Sequence, residues 1–154
     1  MVIKFVSRMF VLLSVLFLTS SLALAGDYFE KDGVALRGYD PVAYFTAGKP
    51  TMGSAAHSFT YKGSKFYFAT AENQKAFEKN PEKYAPQFGG YCAFGTANGV
   101  KVSTQPEAFA VVGGKLYLNH DPQTHEKWKA DPPGNISKAQ KNWPEVQKKD
   151  QLDK

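Results

Sequence analysis

The chain has 154 residues, enough for one ordinary domain, and its twelve Phe and eight Tyr promise a compact aromatic core. Nineteen Lys and Arg against 14 Asp and Glu give a formal charge of +5, but much of the excess lies in a solvated terminus at Lys138, Lys141, Lys148, Lys149 and Lys154. The chain lacks an arginine-rich patch with interleaved aromatics, which excludes nucleic acid as the expected partner, and the single cysteine, Cys92, excludes an intramolecular disulfide.

Residues 1–25 have the three parts of a signal peptide. Lys4 and Arg8 supply the positive start, Met9 to Leu18 is apolar apart from Ser14, and Ala23-Leu24-Ala25 has the small-x-small form of a cleavage site. About 10 strongly apolar residues are too few for a membrane span, which needs about 20. Cleavage before Gly26 is therefore expected. It leaves a periplasmic or secreted protein with no stable membrane anchor, and loss of Lys4 and Arg8 lowers the charge from +5 to +3.

The mature chain divides into one domain, residues 26–134, and a lysine-rich helix or tail, residues 135–154. Asp27 to Leu36 reads as a lead-in. Arg37-Gly38-Tyr39-Asp40-Pro41 carries turn chemistry, since Gly permits positive φ and Pro fixes φ after Asp. Val42 to Phe45 is a short helical turn or strand. His57–Tyr61 and Lys65–Ala69 alternate around Lys62-Gly63-Ser64 and predict a hairpin. Thr70 then caps a helix over Ala71–Lys79, and Asn80-Pro81 restarts a shorter one.

The second half follows the same plan. Phe109–Val112 and Lys115–Asn119 flank Gly113-Gly114 as a tight hairpin, and Asp121-Pro122 opens a helix to about Ala130. Phe59, Gly63, Lys65 and Tyr67 match Phe109, Gly113, Lys115 and Tyr117 at an offset of 50 residues, which suggests an internal repeat with the cysteine segment between its copies. Asp131-Pro132-Pro133-Gly134 breaks the helix, and Ser137–Lys148 forms a last, weakly apolar one docked by Trp143 and Val146. Asn135-Ile136-Ser137 is a formal glycosylation sequon, read as accidental. The fold class is α+β: two antiparallel hairpins, each followed by a helix, in one small domain.

The chemistry centres on Cys92, within Gly89-Gly90-Tyr91-Cys92-Ala93. In an exported chain a lone cysteine is an unpaired thiol, an intermolecular bridge or a metal ligand. A purely structural role stands beside these, because free cysteine is among the most buried residue types. The other donors are His57, His120 and His125, with Asp40 and Asp121. Thiolate favours copper(I), and imidazole suits copper(II) and zinc. His120, at a strand-to-helix junction beside the capping Asp121, is the best imidazole. His57 reads first as a surface histidine, and His125 as solvent-facing. No CxxC, HxH or HExxH spacing is present. Tyr39, Tyr44 and Tyr91 are candidates to line a small-molecule or peptide pocket, the rival to a metal site. A thiol-dependent enzyme needs a base folded against Cys92 and is the weaker alternative.

Three stretches, Gly38-Tyr39-Asp40-Pro41-Val42-Ala43-Tyr44-Phe45, Phe66 to Asn73 and Asn80 to Pro86, together resemble the exported YHS-domain proteins, and Gly89 to Ala93 and Lys115 to Asn119 extend the likeness. The resemblance covers roughly Leu36 to Trp128. It implies a small metal-associated module, of the kind found with heavy-metal transport ATPases and some hydroxylases. The family's usual start places a cysteine after Asp-Pro-Val, where this chain has Ala43. Cys92 is the one thiol left to replace it. The resulting expectation is a metal-binding module, copper preferred over zinc, with Cys92 and His120 as ligands and His57 and Asp40 as secondary donors.

Overall fold

The computed structural model describes residues 26–152, so the expected leader lies outside the described residues. The elements in chain order are β1 (Glu30–Lys31), β2 (Val34–Ala35), α1 (Ala43–Thr46), β3 (Ser54–Tyr61), β4 (Ser64–Phe68), α2 (Ala71–Lys79), α3 (Pro81–Tyr84), α4 (Ala93–Ala97), β5 (Phe109–Val112), β6 (Lys115–Leu118), α5 (Pro122–Lys129) and α6 (Pro132–Val146). The strands form three two-stranded antiparallel sheets. The α+β plan of hairpins followed by helices is present.

Each hairpin closes with two consecutive residues at positive φ: Asp32 and Gly33, Lys62 and Gly63, Gly113 and Gly114. That backbone twist matches the right-handed twist of the strands it joins. The lead-in is thus a small hairpin of its own. The apparent repeat does not survive residue by residue. The two main turns lie 51 residues apart (113 against 62), so Lys115 pairs with Val112 directly at its turn while Lys65 pairs with Thr60 one step farther out. With a strand period of two, that single step puts the matching residues on opposite faces relative to the turn. The two units share a plan because they share turn and cap rules.

β6 is the wall between two cores. Leu116 and Leu118 face one that holds Phe66, Phe68, Phe77, Val42 and Tyr44. Tyr117 faces the other, with Phe88, Trp128, Ala93, Ala97 and Ala139. The second core depends on α6, which begins at Pro132, five residues before the expected Ser137. Asp131 accepts a hydrogen bond from Gly134 N at 3.0 Å and caps the helix, so Asp131-Pro132 starts α6 as Asp121-Pro122 starts α5. Asn142 Nδ2 donates to the carbonyls of Thr96 (3.2 Å) and Ala97 (3.0 Å) and fastens α6 to the end of α4. Asn135 of the sequon is buried, with its amide donating to Trp128 O.

Two left-handed turns place the cysteine. Leu36, Arg37 and Gly38 have φ of 54°, 57° and 83°, and Phe88, Gly89 and Gly90 have 52°, 59° and 74°. They are lashed together: Phe29 N donates to Gly89 O (2.7 Å), Thr104 Oγ1 to Gly90 O (2.7 Å), and Arg37 Nε to Thr104 O (2.8 Å). A Cβ on Gly90 would lie 2.7 Å from Leu36 Cδ2, and one on Gly89 2.6 Å from Asp27 O. Glycine is required there by φ and by space alike. Beyond this turn the chain carries Cys92 inward, where Cys92 N donates to Val102 O at 3.0 Å.

Candidate metal centre

Cys92 is the N-cap of α4. It is 1% exposed, yet it lines a pocket of about 260 Å³ together with His120, Phe94, Asn98, Thr124 and Lys127. Sγ accepts a hydrogen bond from Gly95 N at 3.3 Å and lies 3.7 Å from Asn119 Oδ1, to which the thiol donates. Burial pushes the thiol pKa up. The N–H groups of Gly95, His120 and Phe94 pull it down by less, and the charge of Asp121 adds to the rise. A buried thiol with a raised pKa is the unreactive kind, which counts against the thiol-enzyme alternative.

His120 Nδ1 lies 3.0 Å from Ser103 O. A carbonyl only accepts, so Nδ1 carries a proton, and in the neutral ring the lone pair is then on Nε2. Metal-binding histidines are held the same way, one ring nitrogen donating to a carbonyl and the other left basic.

Asn119, fully buried at the end of β6, had no place in the sequence reading. Its Oδ1 accepts from Phe94 N (3.1 Å) and from the Cys92 thiol, and its Nδ2 lies 3.1 Å from His125 Nδ1. An amide nitrogen only donates, so His125 Nδ1 is the acceptor in this pair. His125 is therefore half-buried and bonded rather than solvent-facing, and its ring stacks on Trp128 at 5.9 Å and 15°. Burial lowers its pKa, followed by the charge of Lys129, with Glu126 opposing.

The remaining candidates do not join Cys92. Asp40 is fully buried, and its carboxylate accepts four hydrogen bonds, from Val42 N (2.8 Å), Ala43 N (3.3 Å), Ala69 N (2.8 Å) and Asn73 Nδ2 (2.7 Å). It is filled by α1, the end of β4 and α2. His57 lies on β3, half-buried and outside the pocket, where the pairing is irregular between Ser54 and Ser58. The three tyrosines are dispersed. Tyr44 is buried, its hydroxyl donating to Pro106 O at 3.1 Å. Tyr39 lines an apolar hollow with Met52 and Tyr67, and Tyr91 lines a different one with Trp143 and Lys101. Among the described residues no group of three or more His, Cys, Asp or Glu comes together as a metal site, and no helix is long and apolar enough to cross a membrane.

Residues 42–88 match the family model of the YHS domain. The chain carries a YHS domain. This domain family is associated with metal binding, so a metal ion is a partner in keeping with it. The YHS stretch runs from α1 to the second left-handed turn. It contains no cysteine and one histidine, His57. The thiol therefore lies beyond the stretch that defines the domain, four residues past its end at Cys92. No curated protein and no solved structure matches the chain.

Proposed function

We propose that this YHS protein is an exported metal-binding module that carries copper(I), with the Cys92 thiolate and His120 Nε2 as its donors. The observation that carries the reading is the arrangement of His120: its Nδ1–H is spent on Ser103 O, which leaves Nε2 as the ring's free donor, and the residue lines the same pocket as Cys92. The donor set fits a soft cation. Copper(I) favours thiolate and is satisfied by two donors, whereas zinc takes a closed shell of four in structural sites. No third donor of that class gathers among the described residues.

Metal uptake requires Cys92 to lose its proton to solvent. Asn119 Oδ1 accepts from the neutral thiol, and the N–H groups of Gly95, Phe94 and His120 stabilise the thiolate. Lys127 at the pocket rim opposes cation entry. The export half of the proposal rests on the charged start, apolar run and Ala23-Leu24-Ala25 of the leader.

Anaerobic copper(I) titration of the purified protein, in competition with a chromophoric chelator, tests the site. One equivalent should bind to the wild type. Cys92→Ser should abolish binding at the same chelator concentration, and His120→Ala should weaken it at least tenfold. Unchanged affinity in both variants refutes the site. N-terminal sequencing of protein recovered from the periplasm or medium tests export, with Gly26 the expected first residue.

A further inference from the structure

A second hollow, about 570 Å³, opens between Gly26–Tyr28, residues 82–91 and the end of α6, and shares no lining residue with the Cys92 pocket. Its size is that of a small-molecule site. Two pairs of rings furnish the apolar surface. Tyr91 and Trp143 have centroids 6.4 Å apart at 38°, and Tyr28 and Tyr61 6.1 Å apart at 37°. Burial pushes up the pKa of the Tyr28 and Tyr91 phenols, so both keep a hydroxyl proton to donate.

The charges around these rings balance. Lys62, Lys101, Asp27 and Glu82 all line the hollow, and none of the four is joined in a salt bridge among the described residues. Lys101 is held in place: its Nζ lies 4.6 Å from the Tyr91 ring centroid and donates to Gln147 O at 3.1 Å. Gln87 and Gln147 complete the polar lining.

We infer that this hollow binds a neutral, hydroxyl-rich ligand of the size of a mono- or disaccharide. A hydroxyl both donates and accepts, and the lining offers acceptors at Asp27 and Glu82 and donors at Lys62, Lys101 and the two phenols. The C–H face of a sugar ring, carrying slight positive charge, rests on the negative face of an aromatic ring. An ion of either sign meets two lining charges like its own. A wholly apolar ligand strands the polar lining without partners.

Intrinsic fluorescence reads the site, because Trp128 is fully buried in the second core and Trp143 lines the hollow. The purified protein is titrated with glucose, galactose, N-acetylglucosamine, maltose and cellobiose, and with benzoate and tetramethylammonium as ionic probes. The expected result is a saturable change with at least one sugar and none with either ion. Glu82→Gln and Trp143→Phe, the latter read by the perturbation of backbone amide NMR signals, should each weaken that sugar at least fivefold, while His57→Ala leaves it unchanged. Glu82 is exposed, so its substitution tests the site without endangering the fold. Three outcomes overturn the inference: no sugar saturates, benzoate saturates and loses its binding in Lys101→Ala, or sugar affinity is indifferent to Glu82→Gln.

Discussion

Asp40 and Asn119 are both completely buried polar side chains, yet they serve opposite ends. Asp40 is closed: three backbone N–H groups and one amide, none of which titrates, fill its carboxylate. Asn119 is open, since two of its three side-chain partners, the Cys92 thiol and the His125 imidazole, are titratable groups. Burial alone therefore does not distinguish a structural polar group from one beside a candidate metal ligand. The partners do.

The contrast can be broken most forcefully at Asp40. Asp40→Ala leaves donors in α1, α2 and at the end of β4 without an acceptor, and should destabilise the fold by about 3 kcal/mol or more, at about 1–3 kcal/mol for each buried donor left unpaired. Thermal unfolding followed by circular dichroism reads this, and copper(I) stoichiometry of the protein that remains folded should stay at one. Asn119→Ala is the matching test. It orphans Phe94 N–H and should cost about 1–3 kcal/mol. Unlike the Asp40 change, it should also tighten copper(I) binding, because the acceptor that favours the neutral thiol is gone.

A pH series sharpens the same comparison. Because the folded pKa of His125 is depressed, its neutral form contributes stability that is present above the unfolded value of about 6.5 and is lost as pH falls through the folded pKa. Urea midpoints should drop on acidification in that window, and His125→Phe should flatten the drop. The smallest expected effect is at Lys127. Lys127→Gln should raise copper(I) affinity about twofold to fivefold at low salt, an advantage that shrinks at high salt as screening takes over, with the melting temperature unchanged.

Local signals carried most of the fold. The paired turns at Lys62-Gly63 and Gly113-Gly114 and the Asp121-Pro122 cap act within a few residues, so hairpins and helices were legible. Asp32-Gly33 belongs with them as an equally strong turn signal, passed over because its strands are two residues long. Asp131-Pro132 both ends α5 and opens α6, with the same form as the cap ten residues earlier. The site was less legible. Cys92 and His120 do line one pocket, but Asp40 looked like a donor because its four partners are revealed only by the fold. Asn119 and His125 were hidden for the same reason. Cys92 and Asn119 are 27 residues apart, and an amide carries no motif that announces such a bond. A polar residue ending the wholly buried run Leu116-Tyr117-Leu118 was the one available sign.

X-ray absorption at the copper edge of the copper(I)-loaded protein examines the central claim at the donor atoms themselves. The account predicts a first shell with one sulfur and one imidazole nitrogen, the sulfur vanishing in Cys92→Ser and the imidazole signature in His120→Ala. A shell of nitrogen and oxygen alone in the wild-type protein would contradict it.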